Sequence, residues 1–208
     1  MKNILSLAIA LMAMLCSYAQ PNFIKKVKSL GSAEPEVNVS PVFARSLERI
    51  ILDFPFNFWN ISGNLLISQG EFEQYQSMEC LPGAQSCRIG RYHSVRDTTA
   101  SWQAIMYRSE NFQSAANEYK NIYRQLKSTP ITMVDGSKFY LVGHYNTPTD
   151  DMDFIVSSFT FDYPDRRYKD FKVELELQYE LHEWVIYINV VSRKDDAEVR
   201  PDWMTQYN

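Results

Sequence analysis

Three histidines, His93, His144 and His182, are the side chains of this chain best suited to metal or proton chemistry. Three neutral imidazoles can hold zinc and leave a fourth position open for a reacting water. Ligands that share one strand or one helix need His-x-His or His-x-x-x-His spacing, and no pair here has either. His182-Glu183 also lacks the second His of the zinc-protease helix. The histidines alone therefore support no metal site. Glu174, Glu176 and Glu180 lie two and four residues apart on a strand-like run. A two-residue step along a strand is about 7 Å, a workable separation for paired carboxylates. The same alternation also describes a solvated strand face, and that is the expectation here. Asp150-Asp151-Met152-Asp153 lacks the Gly and the distal Glu of a calcium loop, so it reads as a polar turn. No Gly-x-Ser-x-Gly elbow is present. A dispersed triad is defined by geometry rather than by sequence position, and it keeps a small secreted hydrolase open around one of the histidines. Glycine is scarce, with seven residues and no phosphate-cradling loop, so no nucleotide or other cofactor is implied.

The cysteines carry a firmer reading. Cys80 and Cys87 flank Leu81-Pro82-Gly83-Ala84-Gln85-Ser86, whose Pro-Gly pair marks a turn. The third, Cys16, lies in an N-terminal segment with the layout of a secretory leader. Lys2 begins it, an apolar run follows from Ile4 to Leu15, and Ser17-Tyr18-Ala19 forms a small-x-small end. Cleavage after Ala19 is expected, which leaves one cysteine pair in an oxidising compartment, periplasmic or extracellular. That pair is predicted to close a hairpin loop as a disulfide. The apolar run is also too short for stable insertion across a bilayer.

Losing the leader removes one cation, Lys2, and moves the net charge from −4 to −5. A mildly acidic chain of this kind carries no electrostatic footprint for nucleic acid. Aromatic residues are abundant, with 13 Tyr, 12 Phe and 4 Trp, and most fall on periodic faces where a core would use them. Trp59, Trp203 and Tyr207 do not. They are the candidate binding surface, for a protein, peptide or glycan partner.

The elements that must position these groups follow from periodicity. Residues 20–39 read as a short helix and a linker, residues 40–194 as one α+β domain, and residues 195–208 as a polar tail. Ser40-Pro41 starts a helix that Pro55 ends. Phe112, Ala115, Tyr119, Ile122, Tyr123 and Leu126 form the apolar stripe of a second helix, stopped by Pro130. Antiparallel meander strands follow each helix. In the second series, Phe171 to Leu181 alternates with Lys and Glu, which predicts a wet outer face. Trp184 to Val191 is apolar on both faces, which predicts a more central strand. Two arrangements fit this order: a continuous sheet with both helices on one face, or two helix-plus-sheet pseudo-repeats, 40–109 and 110–194. The functional expectation is an exported, non-catalytic binding domain. The hydrolase is one alternative. An inhibitor-like protein that uses the Cys80–Cys87 loop as a rigid probe is the other.

Overall fold

The computed structural model describes residues 39–93 and 98–193. The expected leader, the helix and linker up to residue 38, and the tail with Trp203 and Tyr207 lie outside the described residues. Helix α1, Pro41–Asp53, starts where Ser40 Oγ accepts the Val42 amide. Strands β1 Ser62–Gln69, β2 Phe72–Ser77, β3 Ser86–His93 and β4 Thr98–Ser109 follow. Helix α2, Phe112–Ser128, is capped by the Asn111 carboxamide oxygen, which accepts the Ser114 amide at 2.8 Å. Then come β5 Pro130–Thr132, β6 Lys138–Gly143, β7 Phe154–Phe161, β8 Phe171–Glu180 and β9 Glu183–Ser192.

These strands form one antiparallel sheet, in the order β1-β2-β3-β4-β9-β8-β7-β6-β5. Sequential hairpins build each wing, and the pairing of β4 with β9 joins them, from Trp102 opposite Val190 to Ser109 opposite Trp184. Both helices lie on the same face. Their buried stripes, Phe43, Leu47, Ile50 and Ile51 from α1 and Ala115, Tyr119, Ile122 and Leu126 from α2, enter one core cluster. A single alternating set of strand residues completes it, including Trp102, Ala104, Leu175, Ile186 and Ile188. Burying a phenol requires a partner for its hydroxyl. Tyr119 finds two, donating toward Ser157 Oγ at 2.8 Å and the Leu175 carbonyl at 3.1 Å.

The opposite face corrects one expectation. Glu174 and Glu176 are not on a wet surface; they are 4 % and 8 % exposed. Val185, Tyr187 and Asn189 of β9 are buried beside them. The cause is position within the sheet. β8 is an interior strand between β7 and β9, so both neighbours crowd its outward side chains. Gln178 donates to Glu176 at 2.7 Å, and Arg193 pairs with Glu174 at 3.3 Å. Desolvation is the first cause of a raised Glu174 pKa, only partly opposed by Arg193. An alternating pattern cannot distinguish a solvated face from one covered by long neighbouring side chains.

Candidate functional site

The turn that follows α1 sets up the candidate site. Pro55 cannot continue the helix, and the chain tightens into a 3-10 turn at Phe54–Phe56. Asn57 and Phe58 then adopt left-handed φ of 51° and 56°. The Asp53 carboxylate holds this reversal by accepting the Asn60 and Ile61 amides at 3.1 and 3.2 Å. Phe58 is thereby turned into the core, while Phe56 and Trp59 stay outside, 52 % and 58 % exposed.

Beneath Trp59 lies Arg91 of β3, which is fully buried. Its guanidinium carbon is 3.8 Å from the Trp59 ring centroid and 4.6 Å from that of Tyr75. It donates to the Asn57 carbonyl at 3.2 Å and to Ser62 Oγ, and among the described residues its Nη1 has no hydrogen-bond partner. A guanidinium between two aromatic faces is stabilised by their quadrupoles. The Tyr75 hydroxyl donates to Glu73 at 2.6 Å, and the same Glu73 oxygen lies 2.9 Å from His93 Nε2. These bonds, Tyr75's first, hold the Glu73 carboxyl below its ordinary pKa. Tyr75 is raised in return, chiefly by the bond to Glu73. Arg91 was not singled out in the sequence. Its only signal there is a charged residue in phase with Cys87 and Ile89, on the inward side of β3.

A small cleft of about 250 Å³ adjoins this turn and is lined by Pro55, Asn57, Thr99, Arg167 and Ser192. Its Ser192 lies one residue before Arg193, where the described chain ends.

The histidines do not converge. β3 and β6 are five strand spacings apart in the sheet order, about 24 Å at the usual spacing. His93 ends β3, His144 follows β6, and His182 occupies the β8–β9 turn at φ 74°. Among the described residues no cluster of three metal-ligating side chains forms. His144 lines a cleft of about 530 Å³ with Asn146, Met152 and Phe154. No carboxylate hydrogen-bonds to it among the described residues.

Cys80 and Cys87 form a disulfide, with Cα atoms 5.6 Å apart. Within the loop it closes, Pro82, Gly83 and Gln85 are exposed. Leu81 is buried in the core, and the Gln85 amide donates to the Ile105 carbonyl at 2.7 Å. Glu79, just before the disulfide, accepts from Ser46 of α1 at 2.6 Å and pairs with Arg49 at 3.1 Å. The loop thus ties β2 and β3 to the helix.

No family model matches the chain, and no curated protein or solved structure shows significant similarity to it.

Proposed function

We propose that this is an exported, non-catalytic binding domain whose contact surface centres on Trp59. One observation carries the reading. The indole is 58 % exposed yet rests against a fully buried guanidinium at 3.8 Å. Asn57, Ser62 and Tyr75 hold that guanidinium from below. A large aromatic surface held in place before contact loses little entropy on binding. Trp is also the side chain most enriched at binding hot spots. Phe56 and the Arg167 cleft extend the surface, which suits a peptide, protein or glycan partner. The leader-like residues 1–19 and the Cys80–Cys87 disulfide support export to the periplasm or beyond. The order of elements, each helix followed by a meander, supports halves 40–109 and 110–194 as related units.

The test is a screen of the purified protein on peptide and glycan arrays, repeated with Trp59→Ala and Arg91→Met. Binding should weaken at least about tenfold in Trp59→Ala, the loss of one hot-spot side chain. Arg91→Met should weaken it less, while raising acrylamide quenching of the indole. Binding that survives Trp59→Ala unchanged would refute the reading.

One contact favours the secreted hydrolase as a second reading, the 2.9 Å pair of His93 with Glu73. It resembles a general base held by a carboxylate. Turnover of any ester, peptide or glycoside substrate that His93→Ala abolishes would establish it and displace the binding reading.

A further inference from the structure

A recess between β6 and β7 is a second surface, distinct from Trp59. β6 pairs with β7 over three residues only, from Leu141 opposite Phe161 to Gly143 opposite Phe159. At Gly143 the two strands approach closely, and a Cβ there would lie 2.6 Å from the Ser158 carbonyl oxygen. Beyond Gly143 the chain leaves β7. Tyr123 of α2 donates to the Gly143 carbonyl at 2.8 Å, and the Tyr145 ring packs on the Tyr123 ring with centroids 4.9 Å apart. These contacts hold the chain toward α2. A cleft of about 530 Å³ opens where β6 would have continued beside β7. Its lining comes from His144, Asn146 and Thr147 after β6, and from Met152, Phe154 and Val156 at the start of β7. A cleft of this size suits a ligand of a few residues.

The backbone of β7 supplies hydrogen-bonding groups to this cleft. In an antiparallel strand the N–H and C=O of one residue point to the same side, and the side alternates along the chain. The Asp153 carbonyl accepts the Tyr179 amide of β8 at 2.9 Å. Phe154 and Val156 therefore direct theirs one way, away from β8 at Phe154 and again at Val156. Asn146 shows the same direction, because its carboxamide donates to the Val156 carbonyl at 2.6 Å. That bond fills one place that a neighbouring strand would take. The Phe154 carbonyl and the Val156 N–H, on the same side, have no partner among the described residues. One residue of an added parallel strand matches both, its N–H donating to Phe154 and its C=O accepting from Val156.

The rim sets the side chains such a strand should carry. Asp150, Asp151 and Asp153 are exposed in residues 144–153, a connection that contains no Lys or Arg. Met152 and Phe154, 48 % and 50 % exposed, supply apolar surface beside them. Side chains alternate along an extended peptide, so apolar residues can meet Met152 and Phe154 while basic ones meet the aspartates. Opposite charge across the rim favours a basic peptide over an acidic one.

We infer that this cleft binds a short extended peptide in which apolar residues alternate with Lys or Arg, added as a strand beside residues 154–156 of β7. The inference does not rest on the Trp59 reading, because Trp59 does not line the cleft.

Titration of the isotope-labelled protein, followed by nuclear magnetic resonance, tests it. The probes are blocked pentapeptides in which Val, Leu or Phe alternates with Lys, and the same peptides with Glu in place of Lys. Lys peptides should shift the Phe154 and Val156 amides and bind with a dissociation constant below about 1 mM. Methylating the nitrogens along one edge of the peptide should weaken binding at least about tenfold, the loss of strand hydrogen bonds, and methylating the other edge should not. Replacing Asp150, Asp151 and Asp153 together by Asn should weaken it about threefold or more, while Trp59→Ala should leave it unchanged. The inference is overturned by the absence of binding at about 1 mM, by Glu peptides that bind as well as Lys peptides, or by equal binding of both methylated series and the parent. Shifts at the Trp59 indole in place of Phe154 and Val156 overturn it too, and would place the peptide on the Trp59 turn.

Discussion

The two wings of the sheet are built from different materials. Behind β6–β8, apolar rings pack on one another. Phe54 meets Phe171 at 4.9 Å and Tyr168 at 5.9 Å, and Phe161, Tyr163 and Phe139 continue the cluster. Behind β1–β3 the centre is a charge. Arg91 stands between Trp59 and Tyr75, and a disulfide closes the β2–β3 loop nearby. The first wing draws its stability from apolar area and ends at the three-residue β5, which begins with Pro130. The second depends on a covalent link and polar contacts, and among the described residues it leaves an exposed indole and ends the sheet at β1. Surface left uncovered on a rigid frame is where recognition is expected.

The largest effect that this contrast predicts is in the aromatic wing. Phe171→Ala removes a ring that touches Phe54, Phe161 and Tyr168. The loss should be about 3–5 kcal/mol, read by chemical denaturation. Replacing Cys80 and Cys87 with Ser should cost less, about 2–3 kcal/mol for a loop this short. Equal losses would mean that the covalent link is no lesser support than the ring cluster, and would break the contrast.

The smallest effects are pH-dependent and differ in sign. Glu73 has a depressed pKa, first from the Tyr75 hydroxyl and then from His93. The stability it contributes is complete above its unfolded pKa and is lost as pH falls through the folded value. Glu174 has a raised pKa, chiefly from burial. Its ionisation costs stability once pH rises past the carboxylate range, and acid removes that cost. Glu73→Gln should therefore destabilise the protein at neutral pH and flatten its acid limb. Glu174→Gln should stabilise it at neutral pH, because Arg193, left without its partner, is largely exposed. Denaturation midpoints from about pH 3 to about pH 7 measure both, and shifts of the same sign would contradict this electrostatic account.

Much of the scaffold was legible from residue patterns. Ser40-Pro41 and Pro55 bounded α1, and the Phe112–Leu126 stripe located α2. Pro82-Gly83 between two cysteines located the disulfide. Each is a local signal, carried within a few turns or one hairpin. The proposed site was signalled in the sequence only by Trp59, which matches no periodic face. Arg91 did not stand out, because its burial depends on the Asn57–Trp59 turn folding back over β3. Gln103 and Asn189, hydrogen-bonded at 2.9 Å, are 86 residues apart. Nothing in either segment names the other as its partner.

The chain's own residues thus determined the elements, the class of the fold and the cysteine pairing, because helix period, caps and turns act over short distances. The tertiary structure alone decided that β4 pairs with β9, that β8 lies inside the sheet with two carboxylates buried, and that β1 ends the sheet order. Those outcomes depend on strand order. Strand order is set by how distant apolar faces share one core, a quantity that no single segment contains.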